Sequence, residues 1–169
     1  MEKREYIVTA FTENQVGVLN RLTAIYLRRK INIESLRVAE SSIKGISMFV
    51  ITAITTEDTI LTVVRHIKKI IEVLDVKYYK PEELITQEVA LYKISKEIFS
   101  LENSADIVAR NKNVRIIELA ADYIVVELTG AKDKIIAYRE KLEEMGVLEQ
   151  FTSSGSVVLH RENINFLNL

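Results

Sequence analysis

The stretch Glu13-Asn14-Gln15-Val16-Gly17-Val18-Leu19-Asn20-Arg21 joins strand chemistry to helix chemistry, and its reading decides the fold. Upstream, Tyr6 to Thr12 is rich in β-branched and aromatic residues, the composition of a strand. Downstream, Leu19, Leu22, Thr23 and Tyr26 recur at helical spacing. The nine residues are therefore a strand-to-helix corner, with Gly17 where the chain must bend and where a ligand can approach bare backbone. The helix it opens leaves its first N–H groups unpaired and its positive dipole end exposed, which suits a carboxylate. Asn14 adds an amide that both donates and accepts, as recognition of a zwitterionic amino acid requires. The same residues also fit an ordinary turn followed by an N-terminal cap.

Working outward, the first half resolves into six elements. A helix is expected over Val18 to Arg29, with Arg28-Arg29-Lys30 complementing the negative end of its dipole. Asn32 to Ala39 alternates polar and apolar as a half-buried strand does, and Ile46 to Ile54 returns beside it after a turn at Ser41 to Gly45. Thr55 or Thr56 caps the next helix, whose first turn carries Glu57 and Asp58. Ile60, Val63, Val64, Ile67 and Ile71 form one apolar stripe. Val73 to Tyr79 closes the set as a strand. The order is βαββαβ, the ferredoxin-like arrangement.

The only proline, Pro81, lies in a polar stretch between two segments of nearly equal length. Residues 1–79 are read as one domain, 80–86 as a linker and 87–169 as a second domain. The second half repeats the pattern: strand Glu88 to Ser95, short helix Leu101 to Asn111, and a hairpin of Val114 to Leu119 with Tyr123 to Thr129. A helix marked by Ile135, Ile136, Tyr138 and Leu142 follows, with Met145-Gly146 as its end. Val147 to Phe151 and Val157 to Leu159 are strand-like. The fold class is α+β, with two ferredoxin-like βαββαβ domains.

Helices cover only one face of such a sheet, so a solvated second face should be polar. Ile46-Ser47-Met48-Phe49-Val50-Ile51-Thr52-Ala53-Ile54 is apolar in both registers, and the strands after Arg115 and Ile124 are similar. Domains of about 80 residues bury only about 60–65% of their surface, so each gains by burying more. A covering sheet, domain or second chain is expected, and a homodimer covers more of this area than packing of the two halves.

Composition narrows the function. Of the 169 residues 48% are apolar and 28% charged, as in a globular protein. A net charge of −1 gives no pull toward nucleic acid or anionic membrane, and no basic recognition helix is evident. Without cysteine there is neither a disulfide framework nor a thiolate metal site. No signal peptide or transmembrane run is evident, so a cytoplasmic location is expected. Five glycines, at 17, 45, 130, 146 and 155, leave no room for G-x-G-x-x-G or a P-loop. The two histidines, His66 and His160, read as a helix-surface and a strand-end residue rather than a metal pair. Glu143-Glu144 sit among lysines, as solvated ion pairs do. The apolar tail Ile164-Asn165-Phe166-Leu167 is either a docking segment or a frayed end.

Glu13-Asn14, Gly17-Val18-Leu19 and Arg21, then Arg28-Arg29, then Asn32-Ile33-Glu34-Ser35-Leu36 and Val38, resemble the regulatory (small) subunit of acetolactate synthase, or acetohydroxyacid synthase. The likeness continues through Val73-Leu74-Asp75-Val76, Glu127-Leu128-Thr129-Gly130 and Ser154-Gly155, nearly the whole chain. Gly-x-Leu-x-Arg alone indicates an ACT domain, a broad class of amino-acid-sensing modules; Asn-Ile-Glu-Ser-Leu at its proper distance makes the likeness specific. Val16 stands where such proteins often carry Pro, Ser47 and Phe49 replace Arg and Thr, and Ser153 replaces Arg.

The resemblance implies a non-catalytic chain that dimerises through its ACT domain and partners the large catalytic subunit. That subunit holds thiamine diphosphate and Mg²⁺; this chain is expected to bind no cofactor or metal. The effector it implies is a branched-chain amino acid, chiefly valine. Asn14, Gly17, Val18 and Leu19 of one chain would form the site with Asn32 and Ile33 of the other. Feedback inhibition by valine would follow. Leu19 and Ile33 also fit plain core packing. The rival class is a free-standing ACT-type sensor, possibly transcriptional.

Overall fold

In the computed structural model, which describes residues 2–100 and 113–161, the residues before Gly17 form β1 (Arg4–Glu13) and those after it α1 (Val18–Leu27). Then come β2 (Ser35–Glu40), β3 (Ile46–Thr55), α2 (Glu57–Ile67) and β4 (Val73–Tyr79). The sheet order is β2-β3-β1-β4, all antiparallel, with Val8 of central β1 opposite Ile51 on one side and Tyr78 on the other. This is the expected βαββαβ arrangement.

Side-chain alternation along the strands decides what each face buries. Tyr6, Val8 and Ala10 of β1 and Phe49, Ile51 and Ala53 of β3 share one core with Leu22 and Tyr26 of α1 and Ile60, Val63 and Ile67 of α2. On the other face, Ile7, Val50 and Tyr79 pack against Leu84 and Val158 of the same chain. The apolar second face is thus partly covered from within, by residues that the sequence places far away.

Three local expectations change. The α2 stripe stops at Ile67, because the helix ends there and the chain turns at Lys68; Ile71 is 92% exposed. Thr56 holds the N-cap position of α2, yet its hydroxyl meets Thr59 Oγ1 at 2.8 Å instead of a backbone N–H. Of the three cations after α1, Arg29 reaches the helix end, donating to the Ile25 carbonyl at 3.0 Å. Lys30 takes the left-handed conformation, φ +54°, that terminates the helix.

The chain divides into two compact units. One takes the described parts of Met1–Ile85 and Val158–Leu169, the other Thr86–Val157. Both histidines therefore lie in the first unit. The strands that build the second unit's sheet are β5 (Leu84–Ser95), β6 (Val114–Leu119), β7 (Tyr123–Gly130) and β8 (Leu148–Ser153), in the order β6-β7-β5-β8. A short strand, β9 (Val157–His160), also pairs with β5. Helix α3 (Lys132–Glu144) covers one face, placing Ile135, Tyr138 and Leu142 against Ala90, Tyr92, Ile94, Ile124 and Val126. Burial raises the Tyr138 phenol to about 12. Gly146, at φ +70°, closes α3, its N–H bonded to Glu143 O and that of Val147 to Leu142 O. The buried carboxylate of Glu88 accepts from Ser153 and Ser156 at 2.8 and 2.7 Å. Ser153 and Ser156 thus satisfy a charge that burial would otherwise penalise. The helix expected over 101–111 and the apolar tail at 164–167 lie outside the described residues.

Candidate functional site

Antiparallel pairing carries β1 to Glu13, and the backbone then has to reverse into α1. The Glu13 N–H bonds Glu72 O and the Asn14 N–H bonds Gly45 O, at 2.9 and 2.8 Å, which pins the start of the corner to two neighbouring turns. Gly17 completes it at φ +89°, ψ −9°, a left-handed conformation that costs an L side chain about 1–2 kcal/mol. The Gly17 carbonyl accepts the first helical bond, from Arg21 N–H at 3.1 Å. No side chain caps α1 and no acidic residue occupies its first turn. The N–H groups of Val18, Leu19 and Asn20 consequently have no helical partner and face outward at the positive end of the dipole.

Beside this helix start lies a depression of about 180 Å³ lined by Asn14, Gly17, Val18 and Leu19, together with Thr12, Val38, Ser47 and Phe49. Val18 itself is core, 2% exposed, so it offers the depression mainly backbone; Leu19 is 42% exposed and does not belong to the core. The Asn14 amide is exposed and makes no hydrogen bond among the described residues. Leu19, Val38 and Phe49 give it an apolar wall, while the bare N–H groups, the free Asn14 amide and the Glu13 carboxylate complete the lining. That carboxylate accepts from Gln15 Nε2 at 2.7 Å. Together they are a chemistry for a small amphoteric molecule with an aliphatic side chain.

Asn32 and Ile33 do not line this depression within the same chain. Asn32 Nδ2 donates to Glu34 Oε1 at 3.1 Å, and Ile33 packs on the edge of the helix-side core. Sequence reasoning missed Thr12, Val38, Ser47 and Phe49 as lining residues. Val38 stands opposite Phe49 in the β2–β3 register, and only that pairing brings them to a corner more than twenty positions upstream. It also missed why Arg21 sits where it does: its guanidinium meets Glu72 at 2.7 Å and ties the first turn of α1 to the start of β4. That hydrogen bond holds the Glu72 carboxyl below its ordinary value.

His66 lies on the outer surface of α2, where Arg29 Nη2 approaches its Nδ1 at 2.9 Å. His160 ends β9 with its ring 4.9 Å from that of Tyr79. Among the described residues no group of three or more His, Cys, Asp or Glu is disposed to hold a metal ion. No described helix is long and apolar enough to cross a membrane.

A βαββαβ sheet whose first strand turns through a left-handed glycine into an open helix start defines the ACT class of domain. The sequence model described as "AHAS small subunit-like ACT domain" matches residues 9–75, and that described as "Small subunit of acetolactate synthase" matches residues 87–162. The chain belongs to the acetolactate synthase small subunit family. It is 30% identical to the acetolactate synthase small subunit of Mycobacterium bovis, with 95% of each chain covered. It is 29% identical to the probable acetolactate synthase small subunit of Methanothermobacter thermautotrophicus, over 88% of this chain and 89% of that one. The crystal structure of the acetolactate synthase small subunit from Thermotoga maritima superposes with a TM-score of 0.78 at 29% identity, covering 95% of this chain and 99% of that one.

Proposed function

We propose that this chain is a non-catalytic, cytoplasmic regulatory subunit: it binds a thiamine-diphosphate- and Mg²⁺-dependent catalytic acetolactate synthase, raises its activity and makes it sensitive to valine. Residues 1–79 are the sensing domain, joined through 80–86 to residues 87–169. The observation that carries the reading is the uncapped start of α1 behind Gly17, opening on an apolar depression beside the free amide of Asn14. Valine's carboxylate takes the N–H groups after Gly17, its ammonium group donates to the side-chain oxygen of Asn14 or Asn32, and its isopropyl group lies against Leu19 and Ile33. Burial of that group is worth about 1.5–3 kcal/mol. A pocket of this kind separates side chains differing by one methylene by only about 1–3 kcal/mol, so leucine and isoleucine compete.

Pairing of two copies through β2 accounts for both halves of the site. β2 is an edge strand whose outer side has no partner among the described residues, and Leu36 and Val38 on it are exposed. Two-fold antiparallel pairing of β2 with its copy sets the start of one strand beside the end of the other. Asn32 and Ile33 of the second copy then approach Val38, which already lines the depression. Valine acts on the catalytic partner only through unequal affinity for two states of the assembly.

The test is titration of valine into the purified chain, alongside inhibition of the reconstituted synthase, for wild type, Asn14→Ala and Gly17→Asp. Both variants should weaken binding at least tenfold, Gly17→Asp the more, because it adds backbone strain and a like charge at the carboxylate position. The added Cβ of Gly17→Asp meets no atom within 4 Å, so the structural cost is that of the left-handed backbone, about 1–2 kcal/mol, and a wild-type circular-dichroism spectrum checks that the variant folds. Unchanged valine inhibition in both variants overturns the site.

A further inference from the structure

We infer that the cleft between α1 and α2, on the sheet's helical face, is the groove in which this subunit grips an acidic peptide segment of its catalytic partner. The inference rests on the regulatory-subunit reading above and adds the surface that reading leaves unassigned. The groove holds about 380 Å³, with Ala24, Ile25 and Ile70 as an apolar floor and Arg21, Arg28 and Lys69 along its walls.

The charge around it is one-sided. Residues 14–33 and 59–71 together hold Arg21, Arg28, Arg29, Lys30, Arg65, Lys68 and Lys69, and none of the chain's 24 acids. Since the whole chain carries a net charge of −1, its cations are concentrated here and the rest of its surface is acidic. Two of the seven are already engaged. Arg21 is paired with Glu72, and Arg29 is spent on the Ile25 carbonyl and on His66 Nδ1. Among the described residues Arg28, Arg65, Lys68 and Lys69 have no acidic partner, and all four are exposed. Of these, Arg28 lines the groove from just past α1 and Lys69 from just past α2, and two uncompensated cations on one groove repel one another until an anion neutralises them.

The floor and flanks say which anion. An inorganic anion uses none of the apolar floor, whereas a peptide with alternating acidic and apolar residues uses both floor and walls, in the helix-in-groove manner. The one ring that lines the groove is that of His66, whereas nucleic-acid grooves stack successive bases on several aromatic side chains. Leu27 and Ile71, next in sequence to Arg28 and Ile70, are 77% and 92% exposed.

The experiment uses the full chain and the catalytic subunit from the same source. Affinity is measured by biolayer interferometry at several salt concentrations for wild type, Arg28→Glu, Lys69→Glu and, as a control for bulk charge, Lys3→Glu. Each groove reversal should weaken binding at least tenfold and flatten the salt dependence, while Lys3→Glu and valine binding to the small subunit alone stay unchanged. Carbodiimide coupling of the wild-type complex should join Lys69 to an Asp or Glu of the catalytic chain, identified by mass spectrometry. If wild type binds and both reversals bind equally well, the groove is overturned and the regulatory reading stands. If wild type neither binds nor stimulates the catalytic chain, that reading falls and takes the groove's occupant with it. Charge-dependent binding of the chain to phosphatidylserine vesicles, with catalytic-subunit affinity unaffected by the reversals, also overturns it.

Discussion

The two helices of the first unit begin in opposite ways. Helix α2 starts at Thr56 in extended conformation and carries Glu57 and Asp58 in its first turn, so its own carboxylates answer the positive end of its dipole. Helix α1 starts at a left-handed glycine with no acid in its first turn; neither helix has a side chain bonded to its first N–H groups. Both helices pack into the same core through fully buried residues, Leu22 under α1 and Ile60 under α2. The difference therefore lies at the ends and not in how firmly the helices are held. The proposed effector site rests on this difference: a helix start left bare beside a depression is one at which an external anion would meet no competing carboxylate in the first turn.

The comparison can be broken at its foundation first. Leu22→Ala and Ile60→Ala should each lower stability by about 2–5 kcal/mol in urea unfolding, since each empties a site with no solvent exposure. A much smaller loss at Leu22 alone would mean that α1 is loosely seated, and that its bare end reflects poor packing.

It can be sharpened by giving α1 what α2 has. Asn20→Asp places a carboxylate in the first turn of α1, which should stabilise the fold by about 0.3–1 kcal/mol and weaken valine binding roughly two- to five-fold. Glu57→Gln with Asp58→Asn should do the reverse at α2, lowering the melting temperature and leaving valine titrations unchanged. Stability and affinity moving together in Asn20→Asp would separate the helix start from the effector.

The smallest effect concerns the tie between α1 and β4. Glu72 has its carboxyl held below the ordinary value of 4.5 by the hydrogen bond from Arg21. A folded-state value below the unfolded one means that the unfolded chain binds more protons as the medium acidifies. The pair's contribution is thus complete above the ordinary value and is lost as pH falls from there through the depressed one. Unfolding curves across that window should show a shallower acid loss in Arg21→Gln than in wild type.

Much of the fold was legible along the chain. The strands read over Ile46 to Ile54 and Val73 to Tyr79 match β3 and β4 almost to the residue, and β6 and β7 were outlined by the apolar runs around Ala121-Asp122. Helical spacing found α2 through Ile67 and failed at Ile71, because a stripe of apolar residues does not by itself say where backbone hydrogen bonding stops. Asn14, Gly17, Val18 and Leu19 were legible as site candidates because a turn glycine and a helix start are consecutive in sequence. Val38, Ser47 and Phe49 were not, since strand register alone brings them to that corner.

By itself, then, the sequence determined the order of strands and helices, the bend at Gly17 and the absence of acid from the first turn of α1. Those depend on residues a few positions apart, whose periodicity and backbone preferences act locally. Only the tertiary structure decided that Leu84 and Val158 cover the second face of the first sheet, and that Arg21 is held by Glu72. It alone set Arg28 and Lys69 around one groove. Such pairings join residues dozens of positions apart, and packing and strand register fix them after the local elements have formed.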